Sequence, residues 1–189
     1  MSGKLIIFSA PSGSGKTTIV TQLMKKFPNL GFSISATTRK ARSGKEIHGK
    51  DYYFLSQKDF QIKKENDEFV EWEEVYKGLS YGTLKSEIQR IWDSGKDVLF
   101  DVDVKGGIKL KKYYGDIALS IFVKAPSIED IKCRLIKRGT ETEESIEKRV
   151  EKISYELTFE EFFDVSVLNQ NIDVAVQESS DLITDFLEK

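Results

Sequence analysis

Leu5-Ile6-Ile7-Phe8-Ser9-Ala10-Pro11-Ser12-Gly13-Ser14-Gly15-Lys16-Thr17-Thr18 decides how the rest of the chain is read. The unbroken apolar run Leu5–Phe8 asks for a parallel strand buried on both faces. Beyond the turn, Ile19, Val20, Leu23, Met24 and Phe27 fall on one helical face, and Pro28 stops the pattern. Strand, glycine-bearing turn and helix together form the setting of a phosphate-binding P-loop. Gly13 and Gly15 let backbone N–H groups converge on phosphate oxygens with no Cβ in the way. The helix beginning near Lys16 adds its unpaired N–H groups and the positive end of its dipole. Lys16 is the expected catalytic cation for a transferred phosphoryl group, and the Thr17 hydroxyl is an expected Mg²⁺ ligand. Ala10, Pro11, Ser12, Gly13, Ser14, Gly15, Lys16, Thr17 and Thr18 are therefore the expected triphosphate-binding residues. Ala10 stands where the motif usually begins with glycine. Alanine is harmless there if the residue leaves the strand with negative φ.

The 189 residues suit one α/β unit carrying inserted subdomains. A 39% hydrophobic share and 12 Phe supply a core, and the net charge of −2 makes neither nucleic acid nor an anionic membrane the default partner. Cys133, the only cysteine, excludes an intramolecular disulfide framework and fits a reducing compartment. The N-terminal apolar run is too short for a signal peptide or a span. A cytoplasmic protein is expected.

Further along, Phe32–Ala36 alternates like a strand. Thr37–Lys45 then gathers four basic residues, Arg39, Lys40, Arg42 and Lys45, with no apolar face. Two arginines three residues apart can fork one phosphate from two sides, so this loop is a candidate second anion site. Tyr52 and Tyr81 lie in later segments as neutral O–H donors. His48 is expected to be a surface residue without catalytic duty. Ser56–Asp59 opens a short helix, and Glu68–Val75 reads as a strand whose phase slips around Phe69 and Trp72. Glu71, between Val70 and Trp72, needs a partner if it is buried. Leu84, Ile88, Ile91 and Trp92 outline a helix stopped by Gly95.

Val98–Asp103 is a strand ending in Asp101 and Asp103, and the carboxyl ends of such strands border the ligand crevice of open α/β sheets. Ile117–Val123 is another buried strand. Ser127 opens a helix bearing Arg134 and Arg138 on one face, Gly139 breaks it, and Thr140–Glu144 opens a second helix carrying Arg149. A helical hairpin with inward arginines suits a lid over phosphates. Val165–Leu168 reads as the last core strand, followed by Asn169 and a C-terminal helix.

One triphosphate loop, a second anion loop and an arginine-bearing lid point to phosphoryl transfer between two nucleotides. The chain closely resembles the guanylate kinase family over essentially its whole length. The matching segments are Ser9–Thr18, Phe32–Arg42, Gly49–Tyr52, Glu68–Trp72, Tyr81–Thr83, Asp101–Asp103 and Arg138–Thr142. That resemblance implies ATP and GMP as partners, with dGMP as an expected second acceptor. It also implies that Arg39, Arg42, Tyr52 and Tyr81 hold the GMP phosphate, and that Ser35, Glu71, Thr83 and Asp103 read the guanine. The Glu71 carboxylate can accept from guanine N1–H and N2–H₂, and adenine would leave it unpaired. Ser35 and Thr83 hydroxyls suit O6. Thr83 stands where relatives often have serine, Lys105 where they commonly have glutamine, and Lys45-Glu46-Ile47 holds one extra loop residue.

The expected fold is an α/β P-loop NTPase core with a parallel β-sheet flanked by helices, made of residues 1–33, 85–126 and 162–189. Residues 34–84 form the expected GMP-binding insertion and 127–161 the lid. Lys16, Arg134, Arg138 and Arg149 are the expected catalytic residues. Mg²⁺ enters with ATP through Thr17, and Asp101 is expected to position it through water. The acceptor phosphate is already anionic near neutral pH, so no general base is required. The alternative is a phosphoprotein-binding module of the same fold without kinase activity, against which the intact Gly13-Ser14-Gly15-Lys16-Thr17 loop speaks.

Overall fold

The computed structural model describes residues 3–42, 46–137 and 143–189, with their side chains except those of Tyr76, Arg134, Leu135, Lys137 and 143–148. The chain runs β1 (Leu5–Ser9), α1 (Lys16–Lys26), β2 (Leu30–Phe32), β3 (Ala36–Thr37), β4 (Tyr53–Phe54), α2 (Gln57–Glu65), β5 (Phe69–Tyr76) and β6 (Leu79–Leu84). It continues with α3 (Lys85–Asp93), β7 (Asp97–Val102), α4 (Val104–Tyr114), β8 (Ala118–Lys124), α5 (Ile128–Lys137), α6 (Glu143–Leu157), β9 (Val165–Leu168) and α7 (Ile172–Glu188).

The apolar run at the start becomes the centre of a five-stranded parallel sheet ordered β2-β7-β1-β8-β9. Leu5, Ile6, Ile7 and Phe8 are all fully buried. Successive side chains of a strand point to opposite faces, so one strand feeds two cores. Ile6 and Phe8 join Ile19, Leu23, Val176 and Ile183 from α1 and α7. Leu5 and Ile7 join Ile88, Ile91 and Leu110 from α3 and α4. This α/β/α sandwich has the expected fold class and explains why β1 is apolar throughout rather than alternating.

Where one strand is expected over Phe32–Ala36, the structure has two. β2 ends at Phe32 in the parallel sheet, while β3 starts at Ala36 in a second, four-stranded sheet ordered β4-β3-β6-β5. The chain between them is anchored rather than free. Ser33 N–H donates to the Leu99 carbonyl, and Ile34 N–H donates to Glu87 Oε1. Glu87 is 2% exposed, and Tyr53 O–H and the Arg90 guanidinium also donate to its carboxylate. Burial opposes its ionisation, yet Arg90, Ile34 N–H and Tyr53 outweigh that and hold its carboxyl below the usual range.

The phase slip read over Glu68–Val75 is real. Pairing of β5 with β6 shifts register between Phe69 and Glu71 and again between Glu74 and Tyr76, with regular pairing from Glu71 to Glu74. Helix α4 has no counterpart in the sequence reading, because Gly106-Gly107 sits in its first turn. A Cβ on Gly107 would collide with Ser9 Oγ, and one on Gly106 would lie 3.1 Å from Glu71 Oε2 and from Asp103 Oδ1. Close approach of this helix to β1 leaves no room for a side chain at Gly107, and its approach to β5 makes even a methyl at Gly106 tight. α5 and α6 pack through Ile131 and Ile153 beside Ala125, and Cys133 is exposed on α5.

Candidate active site

The turn after β1 has the conformation its glycines allow. Gly13 and Gly15 have φ of 86° and 90°, and Ala10 is not among the residues of positive φ. Alanine is thus accommodated at the position where glycine was missing from the motif. Helix α1 starts at Lys16 with Gly15 as its N-cap and no side-chain cap, so its first N–H groups face the turn. Asn169, just past β9, is 5% exposed, and its side-chain amide donates to the Ser14 carbonyl at 2.8 Å. Its place directly after the last strand was visible in the sequence. Its grip on the turn was not, because that bond reaches from beyond edge strand β9, past β8, to the turn after central β1.

Lys16 reaches across to β7. Its ammonium lies 2.6 Å from Asp101 Oδ1 and also donates to the Val102 carbonyl. Thr17 Oγ1 donates to the other Asp101 oxygen at 2.8 Å. Lysine, hydroxyl and carboxylate therefore meet at the carboxyl end of β7, where the crevice of a parallel sheet is expected. Asp103 has a further duty. Its Oδ1 accepts Gly106 N–H at 2.7 Å and N-caps α4.

A cavity of about 440 Å³ joins this corner to the second sheet. Residues Ala10 through Thr18 form one wall, and Ser35, Tyr52, Glu71 and Tyr81 form the other. Asp101 and Asp103 lie at its floor, with Arg149 and Glu156 from α6 at its roof. Glu71 is 8% exposed, and Thr83 donates its hydroxyl proton to Glu71 Oε1 at 2.7 Å. Burial, countered by that bond and reinforced by the neighbouring Asp103, pushes the Glu71 carboxyl up to about 7. Thr83 is 1% exposed and sits behind the carboxylate. In this structure its hydroxyl is paired with Glu71.

The basic loop also differs from expectation. Arg39 and Arg42 do not present a shared open fork. Arg39 Nη1 and Nη2 pair with Glu46 at 2.8 and 2.9 Å, and the same carboxylate accepts Arg42 N–H at 2.7 Å. The Arg39 guanidinium holds the Glu46 carboxyl down to about 2 and lies over the Tyr52 ring at 5.1 Å. One acid after a run of bases was the available signal for this closure. His48 is exposed, and its Nδ1 accepts Phe54 N–H. Arg149 Nη1 donates to Ser12 Oγ at 3.2 Å, so α6 touches the phosphate turn. Arg134 lies on α5, and Arg138 lies outside the described residues.

A phosphate turn at the mouth of a parallel sheet, sharing one cavity with a carboxylate-bearing pocket on a second sheet, defines a P-loop phosphotransferase acting on nucleotides. The family model described as "Guanylate kinase" matches residues 2–186, and the chain belongs to that family. It is a nucleoside monophosphate kinase. A guanylate kinase of Bacteroides thetaiotaomicron is 52% identical over 189 residues, covering 100% of this chain and 92% of that one. One from Porphyromonas gingivalis is 49% identical over 187 residues, covering 98% and 99%. Among solved structures, the crystal structure of guanylate kinase from Anaplasma phagocytophilum matches with a TM-score of 0.79 at 28% identity, covering 100% of this chain and 88% of that one.

Proposed function

We propose that the chain transfers the γ-phosphoryl group of ATP to a phosphate oxygen of GMP, giving ADP and GDP, with dGMP as a second acceptor. The observation that carries this reading is the shared cavity, lined by both the Lys16 turn and Ser35, Tyr52, Glu71 and Tyr81. Segments 34–84 and 127–161 act as GMP-binding part and lid on the core. The ATP phosphates lie in the turn from Ala10 to Thr18. The GMP phosphate lies against Arg39, Arg42, Tyr52 and Tyr81, with the Glu46 carboxylate orienting Arg39. Guanine N1–H and N2–H₂ donate to Glu71, which Thr83 holds in place. Ser35 and Asp103 complete the base site. Adenine lacks both donors and would leave a buried carboxylate unpaired, a mismatch that sites reject by factors on the order of 10⁴.

Chemistry here is alignment and charge neutralisation. Lys16 leaves Asp101 for the γ-phosphate, and the N–H groups of α1 receive its oxygens. Arg149, reaching the turn at Ser12, and Arg134 and Arg138 from the lid stabilise the charge of the transferring group. The residues fit Mg²⁺: Thr17 Oγ1 and Asp101 are hard oxygen donors side by side. Among the described residues no group of three or more His, Cys, Asp or Glu could hold a metal ion. Thr17 and Asp101 would hold the ion beside the phosphates, where its charge would offset theirs. We place the enzyme in cytoplasmic purine nucleotide metabolism, in line with its single cysteine. Among the described residues, no helix is long and apolar enough to cross a membrane.

The test is an ADP-release assay with ATP, Mg²⁺ and each nucleoside monophosphate in turn. GMP is expected to be turned over and AMP nearly ignored, and Lys16→Met is expected to lose about 10³-fold or more in kcat while keeping its fold by circular dichroism. Equal turnover of GMP and AMP, or a near-normal Lys16→Met enzyme, overturns the reading.

A further inference from the structure

The face of β5 that carries Glu71 also carries Glu73. Residues two apart on a strand share a face at a spacing of about 6.6 Å, and pairing with β6 is regular here. Both side chains line the cavity. Glu73 has its own counter-ion, because Lys105 Nζ from the first turn of α4 lies 3.1 Å from its Oε1. The other oxygen, Oε2, is buried without a hydrogen-bond partner. One helical turn further on, Lys109 Nζ donates to the Trp72 carbonyl at 2.8 Å. Two lysines of α4 thus straddle the strand segment that presents the base-reading carboxylate.

Glu71 is faced by few charges. Thr83 approaches from β6, and Glu73 lies alongside on β5. Asp103 and Lys109 face it from the start and middle of α4. Glu156 from α6 faces Asp103 and Lys16. Glu73 and Asp103 both disfavour the Glu71 anion. Two like charges this close repel appreciably in a partly buried site. That is enough to decide whether a buried carboxylate stays ionised for guanine.

We propose that Lys105 is a positioning residue for guanine recognition: by pairing with Glu73 it neutralises the second carboxylate of the β5 face and keeps Glu71 anionic for GMP. The proposal rests on Glu71 being the guanine acceptor. Lys105 does not touch the ligand. A plain mechanical tie between β5 and α4 would weaken equally whichever partner is removed. Charge compensation is asymmetric. Without the lysine, a bare carboxylate stays beside Glu71; without the Glu73 carboxylate, that share of the repulsion is gone and only Asp103 and burial still oppose the Glu71 anion.

The experiment measures GMP affinity by calorimetry, and KM and kcat, on the full chain as wild type, Lys105→Met, Lys105→Arg, Glu73→Gln and the Lys105→Met/Glu73→Gln double variant. At about pH 7, Lys105→Met is expected to weaken GMP binding about three- to tenfold, with kcat and the KM for ATP within about twofold. The loss is expected to shrink at about pH 8.5, where Glu71 ionises regardless. Lys105→Arg and Glu73→Gln are expected to bind GMP as tightly as wild type or tighter, and the double variant to return to within about twofold of it. Equal losses in Lys105→Met and Glu73→Gln, additive losses in the double variant, or no loss in Lys105→Met each overturn the proposal while leaving the kinase reading intact. A wild type that binds no GMP overturns both.

Discussion

Glu71 is a residue whose function and stability pull against each other. Its folded value of about 7 exceeds the ordinary carboxylate value of about 4.3. Between those values the native site holds a proton that the unfolded chain has released. Stability attributable to Glu71 therefore falls as pH rises through that window. In the proposed site GMP binding has the opposite sign, because only the Glu71 anion accepts two donors. Affinity for GMP is expected to rise between about pH 6 and pH 8, and Glu71→Gln to flatten that rise and raise the KM for GMP about 10- to 100-fold. The GMP phosphate itself titrates near pH 6, so the Gln variant is the control that separates the two. An unchanged pH profile in Glu71→Gln would show that another group governs binding. The position was legible in the sequence as an acid between Val70 and Trp72. Its bond from Thr83 was not, because that bond crosses from β5 to β6, and a single sequence does not specify strand pairing. Arg39 is the converse case: its basic character was plain, and the lone acid Glu46 after the run of bases was the one sign of its partner.

Among the elements, those whose pattern arises locally were legible. β1, the phosphate turn and α1 show themselves through apolar runs, glycines and a stop at Pro28. Helix α4 escaped notice because Gly106-Gly107 lowers helix propensity by about 1 kcal/mol per glycine, and tertiary contact alone explains both. The split of Phe32–Ala36 between two sheets was equally invisible, since alternation says nothing about which sheet a residue joins. The two glycines answer to different neighbours, which separates their variants. Gly107→Ala drives a methyl into Ser9 and is expected to cost about 1–3 kcal/mol, lowering Tm by about 2–4 °C for each kcal/mol. Gly106→Ala meets the Glu71 carboxylate instead and is expected to raise the KM for GMP more than it lowers Tm. Calorimetric melting and steady-state kinetics on both proteins check the pair, and identical profiles would refute the distinction.

Across the whole molecule, α6 reaches the phosphate turn through Arg149, and the proposed mechanism makes catalysis depend on that contact. Arg149→Ala is expected to lower kcat about 10²- to 10³-fold while leaving GMP affinity within about twofold, because Arg149 contacts Ser12 rather than the guanine pocket. Unaltered kcat would remove this arginine from the reaction. The α5–α6 pair rests on a small apolar cluster of its own around Ile131 and Ile153, separate from the two large cores of the parallel sheet. Cys133, exposed on α5, is the chain's sole thiol. A maleimide fluorophore will therefore attach at one address, on the outer surface of the segment proposed to close, with no other cysteine to delete beforehand. Its emission is expected to change when GMP and a non-hydrolysable ATP analogue are added together, giving the unmutated enzyme a direct optical readout of closure.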